Sequence, residues 1–265
     1  MNKNETAFVK DEPLYLEEDG YFVGEFQRGY KDEDGKLHTL FVYRDMDGED
    51  EEALGKPNVK NDSYKIAETM LVRCIMQIGD IDKKKVSADQ WKSIIKSLAI
   101  GDQDIAILRI REEAVGTEIR VKHSCQSCGQ QLETVIDTSE LNIVPYNGND
   151  TIEFELPKGL RTKDGKLAKK GFIRLPNGTD RQMLSDMANK DISKANSLLL
   201  VRTIDKIDGV DVITDDTVKK MSIKDRQYLL GLVRDNSFGV DTSVDISCPS
   251  CGATHKTSLQ VLNFM

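Results

Sequence analysis

The chain has 265 residues, 37 basic against 45 acidic, and a net charge of −8. That balance excludes a broad nucleic-acid footprint, which needs a basic surface to displace counterions from phosphates. No apolar run reaches membrane-spanning length and the start lacks the charged-then-apolar pattern of a signal peptide, so the expectation is a soluble cytoplasmic protein of one large or two medium domains.

Residues 1–19 are polar and acidic, without a sustained period, and read as an arm outside any core. From Tyr21 a hairpin is predicted: Tyr21 to Phe26, a turn at Asp34-Gly35, and Leu40 to Tyr43. An acidic loop, Asp45 to Glu52, leads to a helix over 63–78 with Ile66, Met70, Leu71, Cys74, Ile75 and Ile78 on one face. Ser87 and Gln90 form a capping-box pair that opens a second helix burying Trp91, Ile94, Ile95 and Leu98. Gly101 closes it and Asp102 caps a third, with Ile105, Leu108 and Ile110 inward and Gly116 at its end. A strand over 117–123 leads into His123-Ser124-Cys125-Gln126-Ser127-Cys128-Gly129, and the chain returns as a strand from Leu132 to Ile136.

After a linker with Pro145 and Asn147-Gly148-Asn149 the order starts again. Ile152 to Leu156 and Phe172 to Leu175 flank the turn Lys163-Asp164-Gly165-Lys166. Thr179 and Gln182 suggest a capping box for a helix at about 180–189. A main helix over 193–207 turns Leu198, Val201 and Ile204 inward. Two further helical pieces, 215–221 and 223–235, lead through Gly239 to a strand, to Ser247-Cys248-Pro249-Ser250-Cys251-Gly252, and to a last strand at 259–262.

The two halves correspond residue by residue. Asp34-Gly35-Lys36-Leu37 recurs 130 positions later as Asp164-Gly165-Lys166-Leu167, and Leu71-Val72-Arg73 recurs 129 later as Leu200-Val201-Arg202. Leu108 to Arg111, Gly116 and Cys125 recur 123 later as Gly231 to Arg234, Gly239 and Cys248. The predicted class is therefore α+β, an internally duplicated, pseudo-two-fold unit of hairpin, helices and a zinc-ribbon-like Cys-x-x-Cys hairpin. The arm spans 1–19, the first repeat 20–140, the linker 141–150 and the second repeat 151–265.

Each Cys-x-x-Cys-Gly turn aims two thiolates at one point, and two such turns supply the four sulfurs that structural zinc prefers. Cys125, Cys128, Cys248 and Cys251 are the expected ligands of one shared zinc, since two from each half are too few for two closed sites. The alternatives are local disulfides, free thiols, or a thioredoxin-like redox pair, which would have to open a helix. Cys74 reads as a core residue.

Of the three histidines, His123 and His255 lie near the cysteine turns and could replace or hydrogen-bond a sulfur, but four cysteines already complete a set, so both read as surface residues. Four thiolates leave no open metal position for water or substrate. The carboxylate run Asp47 to Glu52 reads as a solvated face, and Arg73 with Arg202, and Arg111 with Arg234, as local ion pairs or helix-end caps. There is no phosphate-cradling loop, nucleophile elbow or dinucleotide fingerprint, so an enzyme is not expected.

The run Ile107-Leu108-Arg109-Ile110-Arg111, then glycine, strand and Cys-x-x-Cys, resembles the baseplate hub assembly chaperones of contractile-tailed phages, as does Tyr228 to Arg234 followed by Phe238-Gly239 and Cys248 to Cys251. Phe154 to Leu160 with Ile173 to Gly178 is similar to tail assembly proteins of such phages and of phage-like contractile injection systems. The resemblance implies a non-enzymatic assembly or structural protein of the central baseplate, partnered by hub or spike proteins. It implies no nucleic acid, membrane or small-molecule substrate. Its expected place is the cytoplasm of the producing bacterium or the tail particle itself. The competing readings are a zinc-ribbon module in transcription or RNA handling, which needs a basic, aromatic-bearing face, and an enzyme with structural zinc, which needs an open metal position.

Overall fold

A computed structural model describes residues 20–162, 164–188 and 191–259. The arm expected at 1–19 and the end of the last expected strand lie outside them. The described residues form a mixed α+β chain of eight helices and several small antiparallel sheets.

The first series opens with β1 (Tyr21–Lys31) and β2 (Leu37–Arg44), joined through Asp34-Gly35 as expected. The acidic stretch is not a loop. Asp47 caps α1 (Gly48–Leu54) in a reciprocal capping box with Asp50. α2 (Ser63–Cys74), capped by Asp62, stops four residues before the expected end, and β3 (Ile75–Ile78) pairs with β2, followed by β4 (Ile81–Asp82). The apolar run 74–78 suits either period, and the open edge of β2 decides for the strand. α3 (Ala88–Ser97) carries the predicted Ser87–Gln90 box. α4 (Ile100–Val115) starts at Ala99, so Gly101 lies inside its first turn and Asp102 is no cap, while Gly116 ends it at φ +83°. β5 (Glu118–Ser124) and β6 (Gln131–Asp137) form the first cysteine hairpin, and β7 (Ile143–Val144) follows in the expected linker.

The second series runs in the same order. β8 (Thr151–Arg161) and β9 (Leu167–Arg174) pair, and α5 (Gly178–Ala188) follows. Its cap is Asn177, which accepts from the amides of Thr179 and Asp180, rather than Thr179. α6 (Ile192–Thr203) again stops short, and β10 (Ile204–Ile207) pairs with β9. Leu200 is buried where Leu198 was expected to be. α7 (Asp215–Lys220) and α8 (Ile223–Asp235) precede β11 (Gly239–Val240), which pairs with β7, and the second cysteine hairpin, β12 (Ser243–Ser247) with β13 (Thr254–Ser258).

Each series is pinned by a buried carboxylate between two arginines. Asp50 accepts from Arg44 and Arg73, and Asp180 accepts from Arg174 and Arg202. Thus Asp50 is not part of a solvated run, and Arg73 and Arg202 make ion pairs with another element of their own half. A second buried carboxylate serves the kink in each leading strand. Asp102 accepts from the amides of Gln27, Arg28 and Gly29 in β1, and Asp225 from that of Lys158 in β8. The amides freed by each bulge would otherwise be buried without partners. Gly29 and Gly159 both take φ +83° there.

The hairpins also share a close cross-strand contact, with the residues exchanged. Gly24 of β1 faces Phe41 of β2, whereas Phe154 of β8 faces Gly171 of β9. A Cβ on either glycine would come within 2.5 Å of the opposing ring.

The halves join where α4 begins. Ile100 donates to the carbonyl of Pro176, Gly178 donates to that of Leu98, and Arg181 pairs with Asp104 at 2.6 Å. Gly101 lies against Gly239, and a Cβ on it would sit 2.3 Å from the carbonyl oxygen of Phe238.

Burial alone would raise the Asp180 carboxyl, but Arg174, the Asn177 amide and Arg202 hold it below the ordinary carboxylate range. The same balance, with Arg44, the Asp47 amide and Arg73, holds Asp50 down. Their stabilisation is therefore complete above the unfolded value of about 4 and is lost as pH falls through the depressed folded values. Burial raises Asp102 despite its three amide bonds, so its share runs the other way and is lost as pH rises through its folded value. Asp50→Asn and Asp180→Asn should each cost about 3 kcal/mol at pH 7 by leaving two arginines without their anion. Urea unfolding from pH 7 to pH 2 should show the deficit shrinking below about pH 4.

Candidate metal centre

Each cysteine hairpin ends in the same tight turn. The amide of Cys125 donates to Gln130 and that of Gly129 back to Cys125, while Cys248 donates to Ala253 and Gly252 back to Cys248, all at 2.8–2.9 Å. Gly129 and Gly252, at φ +75° and +72°, supply the left-handed residue that each turn requires. The strand pairs run into the turns in matching register, Ser124 opposite Gln131 and Ser247 opposite Thr254. Beneath them Leu108, Ile119, Val121, Ile136, Leu141 and Leu259 form a small separate core. Arg111 turns its guanidinium onto the carbonyls of Gly116 and Glu118 and so fixes the base of the first hairpin. Arg234 instead pairs with Asp235 at the surface.

The two tips meet. Cys125 Sγ lies 3.7 Å from Cys251 Sγ, Cys128 Sγ 3.8 Å from Cys248 Sγ, and all four sulfurs are within 4.8 Å of one another. None is in a disulfide. A tetrahedral ion with metal–sulfur bonds of about 2.3 Å needs sulfur–sulfur edges of about 3.8 Å, which these cross-hairpin distances match. The turns thus present four free sulfurs in an arrangement able to hold one metal ion.

The electrostatics of the cluster point the same way. Burial opposes ionisation of Cys248, but the amides of Cys251 and Ser250 and the neighbouring thiols bring it down to about 7. At Cys251 an amide bond from Ala253 and burial act in opposite directions, and hydrogen bonding with the other three cysteines pushes it up to about 12. One thiolate forms readily, and the next is resisted by its neighbours. A cation in their midst removes that resistance.

The histidines are not free at the surface. His255 Nε2 lies 3.1 Å from Cys125 Sγ, within hydrogen-bonding reach, and would be the donor to a metal-bound thiolate, which has no proton of its own. Both ring nitrogens of His123 are buried, with no hydrogen-bond partner among the described residues. His38 is remote from the cysteines, buried between Asp32 at 2.9 Å and Asp80 at 3.2 Å. Cys74 is fully buried in the first core, and burial pushes its thiol up to about 12. Among the described residues the four cysteines are the one group of three or more His, Cys, Asp or Glu side chains arranged to hold a metal. The contact of His255 had a sequence signal. Alternation along β13 sets it opposite Ile246, just as His123 faces Leu132 in the first hairpin.

Comparison with known families finds a match to the family described as T4 bacteriophage base plate protein, in two overlapping segments, residues 59–214 and 192–265. The chain belongs to this family, whose members are phage baseplate proteins. Neither a curated protein nor a solved structure matches the chain. No helix among the described residues is long and apolar enough to cross a membrane.

Purified protein should carry one divalent ion per chain, and the double variant Cys125→Ser, Cys128→Ser should lose it although Cys248 and Cys251 remain. Elemental analysis reads the result directly. His255→Phe should keep the ion but weaken its binding by about tenfold, the usual cost of losing a hydrogen bond to a ligand, measured by chelator competition.

Proposed function

We propose that the chain is a non-enzymatic assembly or structural protein of the central baseplate hub of a contractile tail, built from a duplicated unit whose copies share one structural zinc. The observation that carries this reading is the meeting of two hairpin tips, one from each half of a baseplate-family chain, in a single four-sulfur cluster. Cys125, Cys128, Cys248 and Cys251 would hold the ion, which when bound supplies a rigid crosslink between residues 120 positions apart. With all four positions taken by sulfur, such a site has no opening for a substrate or an activated water. The recurrence of the Asp–Arg triads, the bulge-capping carboxylates and the cysteine turns supports duplication, with the units meeting near residues 141–150. The partners are other baseplate, hub or spike proteins, met in the cytoplasm of the producing bacterium or within the tail particle.

Co-expression with the hub and spike proteins encoded beside it should yield a complex that survives gel filtration. Loss of zinc through Cys248→Ser, Cys251→Ser should abolish it. Recovery of the chain alone from every such pairing would overturn the assignment.

A further inference from the structure

The joint between the halves is not reciprocal. In the second half, Pro176 to Gly178 at the start of α5 and Phe238 to Gly239 at the start of β11 form the two walls of a socket, filled by the α3–α4 junction, Leu98 to Asp104. The residues at matching places in the first half are Met46 to Gly48 and Val115 to Gly116. Met46 to Gly48 and Val115 line, together with Leu54, Ile66 and Met70, a groove of about 730 Å³. Whereas Gly178 and Gly239 have neighbours within 3 Å of where a Cβ would stand, Gly48 and Gly116 have none within 4 Å. The first half therefore has the socket without its plug.

The second half carries the plug without a socket. The α7–α8 junction, Met221 to Gln227, matches Leu98 to Asp104, and Ile223, in the place of the Pro176-bonded Ile100, is 75% exposed. Val115 at the rim of the groove is 61% exposed. An interface in which unlike surfaces meet leaves one unsatisfied surface at each end, and these are complementary.

Resting on the repeat reading above, we infer that the groove between α1 and the end of α4 receives the α7–α8 junction of a second copy of this chain, giving head-to-tail association. Charge supports that occupant. In the internal joint Lys96 Nζ donates to Gln182 at 2.9 Å. The matching residues are Lys219 on the plug, which pairs with Asp215 of its own helix, and Glu52 on the socket, both exposed and of opposite sign. Arg181 and Asp104 are replaced by Glu51 and Gln227, an acceptor facing an amide donor. One residue departs from the pattern. Lys224 stands where Gly101 lies against the backbone carbonyl of Phe238 with no room for a Cβ, so it cannot approach the matching carbonyl of Val115 as closely. The junction thus seats further out than its internal counterpart, and binds more weakly.

Sedimentation velocity of the metal-loaded full chain over a concentration series tests this. The mass should rise above the monomer with concentration. Ile223→Asp (plug) and Gly48→Trp (socket) should each weaken association at least tenfold, with unchanged circular dichroism. Mixing these two variants should restore a dimer that grows no further, because one intact plug meets one intact socket. A monomer at all concentrations overturns the inference, as does association indifferent to both variants. The repeat reading is read separately. Arg181→Asp acts within the chain, and should lower the melting temperature of the monomer whether or not copies associate.

Discussion

Bringing Cys125 and Cys128 within reach of Cys248 and Cys251 requires everything beneath those sulfurs to hold still. Each hairpin stands on strands of five to seven residues, so at about 3.3 Å per residue a small tilt at its foot moves its tip by several ångströms. The feet are fixed by the ladder of β7 with β11, by the shared apolar cluster under both hairpins, and by Gly101 against Gly239. That last contact allows no side chain, because its backbone separation is set by the helix start and the strand themselves. The sulfur geometry is thus a readout of how α4 docks between the halves.

Much of this was legible in the sequence. The cysteine turns, both leading hairpins, the Ser87–Gln90 box and the glycine stop of α4 follow from local rules, and the structure has them where those rules put them. The failures share a physical cause. Residues 75–78 and 204–207 each carry isoleucines that continue the helical period before them, and only the neighbouring strands, distant in sequence, draw them into sheets. Asp50 looked solvated because its partners, Arg44 and Arg73, come from other elements. Yet the pattern held a clue, since Arg44 and Asp50 recur together as Arg174 and Asp180. A recurring acid–base pair inside otherwise diverged repeats marks burial better than its local surroundings do. Asp102 was misread as a cap for the same reason. Its carboxylate serves a distant bulge rather than its own helix.

On the reading proposed above, membership in a baseplate family and four convergent thiols fit a part whose task is to keep a shape. The buried charges fit that task. Asp50, Asp180 and Asp225 each tie elements that apolar packing alone could slide past one another, because a carboxylate between defined donors tolerates little displacement. His255 extends the same economy to the cysteine cluster, where one ring nitrogen stands 3.1 Å from Cys125 Sγ.

The exchanged glycine and phenylalanine of the two leading hairpins have a consequence for how the chain finds its fold. Two look-alike hairpins in one polypeptide risk trading strands before either core closes. Were β1 to zip onto β9, Gly24 would face Gly171 and leave a hole the size of a benzene ring. Were β8 to zip onto β2, two rings would contend for one slot. Cognate strands alone bring one ring to one gap, so the pairing proofreads itself.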